Sequence, residues 1–186
     1  TRMSKPINIV ILGTGNVSSH LAAAIQKNKA LRLVQAFNYR ASKSAKNFSR
    51  QFDCEMITEI NRLKRDADFY IIAVKDDAIE EMAAQLASLK LQGTVLHTSG
   101  SVDVTVLKKA SAQTGVLYPL QTFYKGAVIN WKTTPLLIEA NSKKTLAHLQ
   151  QFAQLISENV TVVNSTHRLK VHLAAVFANN FTNAMY

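Results

Sequence analysis

Residues 7–18 read INIVILGTGNVS: an apolar run meets a glycine-rich turn, and Val17, Leu21, Ala24, Ile25 and Asn28 follow at helical spacing. The run predicts a buried strand, and the change of period predicts a helix directly after the turn. Gly13 lets the chain turn tightly. Gly15 lacks the Cβ that would hold a pyrophosphate away from the helix N-terminus, where unpaired N–H groups and the helix dipole favour negative charge. Ser18 stands where the Gly-x-Gly-x-x-Gly pattern normally carries a third Gly or Ala for packing helix on strand, and serine is small enough for that role. The unit is expected to hold a dinucleotide on Gly13, Thr14, Gly15, Asn16 and Val17. The competing reading is a glycine turn in an α/β protein with an empty crevice.

Working outward, the chain has 186 residues, of which 47% are hydrophobic and 18% charged. This suits one α/β domain with a full core and the beginning of a second. The longest apolar run, 69–74, is too short to span a bilayer, and the N-terminus has no signal-like apolar stretch. Cys54 is the only cysteine; an intrachain disulfide and a cysteine-rich metal site are excluded, and a soluble, cytoplasmic protein is expected. The formal net charge of +10 raises the question of nucleic acid. Pairs such as Lys43/Lys46, Lys108/Lys109 and Lys143/Lys144 sit on different predicted helices without interleaved aromatics. Solvated helix faces and attraction of an anionic cofactor explain the charge better than nucleic-acid binding.

Further strands are expected at 31–38, 54–57, 68–74, 94–98, 115–118, 135–140 and 160–164. Helices are expected at 42–51, from a cap at Asp76 or Asp77 to about Leu89, at 102–110, and around the stripe Leu146, Leu149, Ala153 and Ile156. Lone apolar strands alternating with amphipathic helices imply a doubly wound, mostly parallel Rossmann-like sheet covered on both faces. Residues 121–134 read as a long loop. Residues 1–164 form the sheet domain, and 165–186 the first helix of an α-helical C-terminal domain. That helix stops without a C-cap glycine, a basic last turn or a trailing proline, so the chain is expected to continue beyond Tyr186.

An NAD-preferring site usually places Asp or Glu at the end of the second strand for the ribose 2′-hydroxyl. Here Asn38 stands there, followed by Tyr39, Arg40, Ala41, Ser42 and Lys43. A carboxylate about 4 Å from a 2′-phosphate charge costs about 1 kcal/mol in water and roughly 4 at an intermediate dielectric. Arginine instead binds phosphate in a forked geometry. Asn38, Arg40 and Ser42 therefore favour NADP as cofactor; the alternative is that Arg40 and Lys43 are only solvated charges.

Ligands of open parallel sheets bind beyond the carboxyl ends of the strands, so later strand ends are candidates. Val74 and Lys75 would pass along the cofactor, unless Lys75 is an exposed helix-start lysine. His97 and Ser99, in the run HTSGS, suit hydrogen bonding to a substrate and titration near neutrality; an ordinary turn with His97 satisfied inside the sheet is the alternative. In the run YPLQTF, Gln121 and Thr122 are placed to project into the crevice, or the segment is only a rigid loop. On the last helix, at about 100° per residue, Arg168, His172, Asn179, Asn183 and Tyr186 lie within one narrow arc. A His and Asn stripe on an otherwise apolar helix suits a surface over a cofactor, or a weakly polar subunit contact. His20, His148 and His167 have no such company.

The segments NIVILGTGNVSSHLA, DFYIIAVKDD, VLHTSGS, GVLYPLQTF, PLLIEA and HLAAVFANNFTNAMY together resemble a family of NADP oxidoreductases. Its members have an N-terminal Rossmann-like domain and a helical C-terminal domain of undefined function, of the DUF2520 type. The group is similar to pyrroline-carboxylate reductase and deazaflavin-dependent NADP reductase. The resemblance implies NADP at Gly13, Thr14, Gly15, Asn16, Val17, Arg40 and Lys75, and a homodimer built through the C-terminal helices; it implies no substrate. The expected activity is hydride transfer to or from a C=O or C=N bond of a small polar metabolite. His172 or His97 is the expected proton donor, Ser99 and Asn179 the orienting groups, and Gln121 a weaker contact. The rival from another class is a noncatalytic NADP-binding sensor or partner-binding dimer, favoured by the lack of an obvious acid/base pair.

Overall fold

The computed structural model describes residues 5–184, and side chains as far as Phe181. In β1 (Ile7–Leu12) the last four residues are wholly buried. The chain turns into α1 (Asn16–Gln26), returns as β2 (Leu31–Phe37), and passes through α2 (Lys43–Phe52) to β3 (Glu55–Ile57). Next come β4 (Phe69–Ile72), α3 (Ile79–Leu86), β5 (Thr94–His97) and β6 (Thr114–Pro119). The remainder is β7 (Leu136–Ala140), α4 (Lys143–Gln154), β8 (Val160–Val162) and the long α5 (Ser165–Ala184).

All the strands join one sheet in the order β3-β2-β1-β4-β5-β6-β7-β8. Neighbours are parallel except β6 and β7, which pair antiparallel with Pro119 opposite Leu136. That register keeps the connecting loop at the carboxyl end of the sheet. The order of strands reverses beside β1, so the crevice above the carboxyl ends of β1 and β4 is the switch point where such sheets bind ligands.

Because strand side chains alternate between faces, the central strands feed two cores. Ile9, Ile11, Phe69 and Ile71 pack with Leu21, Ile25, Phe48, Phe52 and Phe152 on one face. Val10, Leu12, Tyr70 and Ile72 pack with Ile79, Met82 and Leu86 on the other. Tyr70 is tolerated there because its hydroxyl donates to Lys64 O at 2.8 Å and accepts from the Ala67 amide at 3.1 Å.

Two local expectations change. The helix expected over 102–110 is only a short 3-10 turn, Val104–Leu107. Asp103 draws the Thr105 amide to its own carboxylate at 2.8 Å, and β-branched Val104, Thr105 and Val106 favour a helix poorly. Neither Asp76 nor Asp77 caps α3, which follows a 3-10 turn, Asp76–Ala78, lacking a side-chain cap. Asp76 instead accepts from Ser101 Oγ at 2.7 Å. Among the described residues no helix is long and apolar enough to cross a membrane.

Candidate active site

The elbow after β1 is made by one strained and one open glycine. Gly13 has φ +106°, and a Cβ there would lie 2.5 Å from Ala73 O, so only glycine fits. A Cβ on Gly15 would meet nothing within 4 Å. Gly15 is the N-cap of α1, offers no side-chain cap, and precedes a first turn without a carboxylate. Among the described residues no side chain caps the first amides of α1, and the space beside Gly15 is open. Ser18 is fully buried, its hydroxyl donating to Ala73 O over a long 3.4 Å; it does fill the third-glycine position.

Gly13, Thr14, Gly15, Asn16 and Val17 line a cleft of about 590 Å3 whose other wall includes Asn38, Val74 and Lys75. Ala73 and Ser44 also line it; Ser44, three-dimensionally next to the capping serine, was not legible as a site residue. Arg40 and Ser42 stand outside this lining. Arg40 is exposed, its carbonyl accepting from Asn38 Nδ2 at 2.8 Å. Ser42 caps α2 by accepting the Ala45 amide at 3.1 Å, and its hydroxyl lies 2.8 Å from Ser44 Oγ. A helix first turn free of acidic groups, with room at Gly15 and Lys75 in the cleft wall, fits a dinucleotide.

A second cavity, of about 450 Å3, is lined by Tyr118, Gln121, Thr122, His172 and Asn179 among apolar Leu120, Ala175 and Val176. Tyr118 Oη lies 2.8 Å from His172 Nδ1, and Asn179 Nδ2 donates to Thr122 Oγ1 at 2.9 Å. The loop after β6 joins the two cavities. Its Phe123 carbonyl accepts from Asn16 Nδ2 at 3.4 Å, and its Tyr124 carbonyl accepts from His20 Nε2 at 3.0 Å. His20 thus ties the loop to α1, a role its sequence neighbours did not reveal.

His97 and Ser99 line neither cavity. His97 is fully buried; its Nδ1 accepts the Ser99 amide at 3.1 Å, and its Nε2 finds no partner among the described residues. Burial first, and the Arg168 guanidinium second, pull the imidazole down from 6.5 to about 4. Such a ring is neutral and enclosed, a placement unsuited to donating a proton into the cleft. Ser99 Oγ accepts the amides of Ser101 and Val102, each at 3.1 Å, and so shapes the turn.

The His97 environment has a measurable consequence. The unfolded chain takes up a proton near pH 6.5, whereas the folded protein takes it up only near pH 4; stability therefore falls as pH drops through that window. At about 1.4 kcal/mol per pH unit, the loss approaches about 3 kcal/mol. His97→Asn keeps an acceptor for the Ser99 amide and removes the titration. Urea denaturation at about pH 7 and about pH 4 is expected to show the gap between wild type and variant moving by that amount in the variant's favour. A gap independent of pH would contradict this.

Arg168, expected on the polar stripe of the last helix, is instead fully buried. Its guanidinium pairs with Glu139 on β7 and donates to Val102 O, with Ser165 Oγ at 3.3 Å. Ser165 Oγ also donates to Glu139 Oε2 at 2.8 Å. These contacts dock α5 onto the sheet and thereby place His172 and Asn179. The Asn183 side chain and Tyr186, also assigned to that stripe, lie outside the described residues.

Residues 7–96 match the model of an oxidoreductase family with an NAD-binding Rossmann fold, and residues 134–186 match a domain of unknown function, DUF2520. No curated protein matches the chain. Among solved structures, the "putative NADP oxidoreductase BF3122" from Bacteroides fragilis is 34% identical, with a TM-score of 0.88 over 97% of this chain and 70% of its own. A pyrroline-5-carboxylate reductase from Coxiella burnetii is 15% identical, with a TM-score of 0.68 over 86% of this chain and 60% of its own. An imine reductase from Myxococcus stipitatus, in complex with NADP+, is 12% identical, with a TM-score of 0.69 over 94% of this chain and 62% of its own. The chain spans less than two thirds of these last two proteins, which share its fold. The identity to the Bacteroides protein over most of both chains shows the family: this chain belongs to the Rossmann-fold oxidoreductases that continue into a DUF2520 domain.

Proposed function

We propose that the protein is an NADP-dependent oxidoreductase acting on a C=O or C=N bond of a small polar metabolite. The observation that carries this reading is the joining of two cavities by one loop: Asn16, at the nucleotide elbow, and Asn179, over the polar cavity, hold adjacent loop residues. A nucleotide seated in the first cavity would lie beside a ligand in the second. Bound NADPH supplies the hydride; the protein supplies binding, orientation and protons. Gly13 to Val17 would hold the pyrophosphate, and Val74 and Lys75 would run along the cofactor. His172 and Asn179 face the substrate, and Ser99 fixes the turn beneath them. The exposed Leu173, Phe177 and Phe181 of α5 suit a homodimer formed through C-terminal helices, in a second domain that 165–186 begins.

The preference for NADP over NAD rests on the end of β2. Asn38 replaces the acidic residue and has its amide tied to Arg40 O, leaving Arg40, Ser42 and Ser44 for a 2′-phosphate. A charge-assisted hydrogen bond contributes about 1.5–3 kcal/mol, or about 10- to 100-fold in affinity. Arg40→Ala is therefore expected to weaken NADPH by that factor and leave NADH nearly unchanged, measured by nucleotide fluorescence titration. Wild type binding NADH at least as tightly as NADPH, with the ratio unmoved in Arg40→Ala, would contradict NADP specificity.

A further inference from the structure

We infer that Tyr118 is the acid that meets the substrate, held in place and resupplied with its proton by His172; this rests on the oxidoreductase reading above. Tyr118 lies near the end of β6 at the carboxyl edge of the sheet, and His172 comes from α5. Gly100, in the turn after β5, lets them meet. A Cβ on Gly100 would stand 2.5 Å from His172 Nδ1 and 2.7 Å from Tyr118 Cζ, so a larger residue forces the pair apart. With glycine there, Oη and Nδ1 are 2.8 Å apart and the rings meet edge to face at a centroid distance of 5.6 Å. Both side chains are half-buried and line the polar cavity.

The division of labour follows from the surroundings. Burial first, and the Asp76 carboxylate second, push the Tyr118 phenol above its ordinary range, against a smaller opposite pull from Arg168. The phenol is thus held protonated, ready to donate. The other polar groups named for the cavity, Gln121, Thr122 and Asn179, form hydrogen bonds but are not acids. Reduction of C=O or C=N needs a hydride at carbon, from the bound cofactor, and one proton at the heteroatom. The pair delivers that proton: the Tyr118 O–H bond breaks, an O–H or N–H bond forms on the substrate, and the Nδ1–H of His172 restores the phenol. His172 then regains a proton from water. Oxidation runs the same transfers backwards.

The test compares wild type, Tyr118→Phe and Gly100→Ala. Each is measured for NADPH affinity, for the His172 Nδ1 resonance by 15N NMR, and for NADPH oxidation with 2-methyl-1-pyrroline and 2,3-butanedione. Both variants are expected to bind NADPH within about twofold of wild type, to shift the His172 resonance, and to lose about 100-fold or more in kcat. His172→Gln adds a readout that packing alone does not move, because its amide keeps a hydrogen bond to Tyr118 but cannot pass a proton on. Its kcat is expected to fall about 10-fold or more while KM stays within about twofold, with Asp76, Arg168 and Tyr118 unchanged. A Tyr118→Phe kcat within threefold of wild type, or an unmoved His172 resonance, overturns the pair while leaving the oxidoreductase reading intact. Wild type that binds NADPH but oxidises it with neither probe overturns the catalytic role. Wild type that binds no NADPH overturns the underlying reading itself.

Discussion

Gly15→Ala is expected to weaken NADPH binding by about 100-fold, which is about 2.7 kcal/mol, while changing folding stability by less than about 1 kcal/mol. The two effects separate because a Cβ at this position touches no protein atom within 4 Å; it projects into the space assigned to the pyrophosphate. Folding barely responds, because Gly15 has φ −80° and ψ −166°, an extended conformation that any residue adopts. Alanine is a poorer N-cap than glycine, but it also removes entropy from the unfolded chain, and the two small terms oppose each other. Gly13 is the contrast within the same turn. Its positive φ and the 2.5 Å approach to Ala73 O make any substitution there a folding defect, uninformative about the ligand. Nucleotide titration and urea denaturation of Gly15→Ala measure the two quantities. Unchanged affinity would mean that no phosphate sits at this helix N-terminus.

The second large effect belongs to Arg168. Arg168→Ala is expected to lower stability by about 3–5 kcal/mol, the range for breaking a buried ion pair by removing one partner. Against a typical total of about 5–15 kcal/mol this is a large share. The guanidinium is wholly buried and satisfies Glu139, whose side chain is only 15% exposed, together with Val102 O. Its loss leaves the Glu139 carboxylate with Ser165 Oγ alone and takes the donor from the Val102 carbonyl. Replacing both partners, as Arg168→Met with Glu139→Leu, is expected to recover much of the loss, because the unpaired charge disappears as well. Urea denaturation of the single and double variants tests this. A single-variant loss below about 1 kcal/mol would show that the pair does not dock α5.

What was legible in the sequence was local. The strand, glycine turn and helix at 7–26 announce themselves because periodicity and turn residues are contiguous, and the other apolar strands follow the same rule. What escaped was tertiary. Glu139 and Arg168 are 29 positions apart, and the available signal was a lone carboxylate ending the apolar run PLLIEA. Arg168 shares a helix arc with His172 and Asn179, yet only those two reach the cavity; arc position cannot tell a buried ion pair from a site lining. Tyr118 and His172 are 54 positions apart, and the residue that lets them meet is Gly100, which in sequence is only part of a hydroxyl-rich turn. His97 was conspicuous in that turn for its chemistry, but its strand ends inside the core.

The central claim is that the β1 to α1 elbow binds a pyridine nucleotide through main-chain amides, beside the Tyr118 and His172 cavity. Isothermal titration calorimetry of the intact, folded protein with NADPH and with NADH tests it most directly. The expected result is saturable binding at one site per chain, tighter for NADPH. Absence of heat with both nucleotides, confirmed by unchanged thermal stability in their presence, would contradict it.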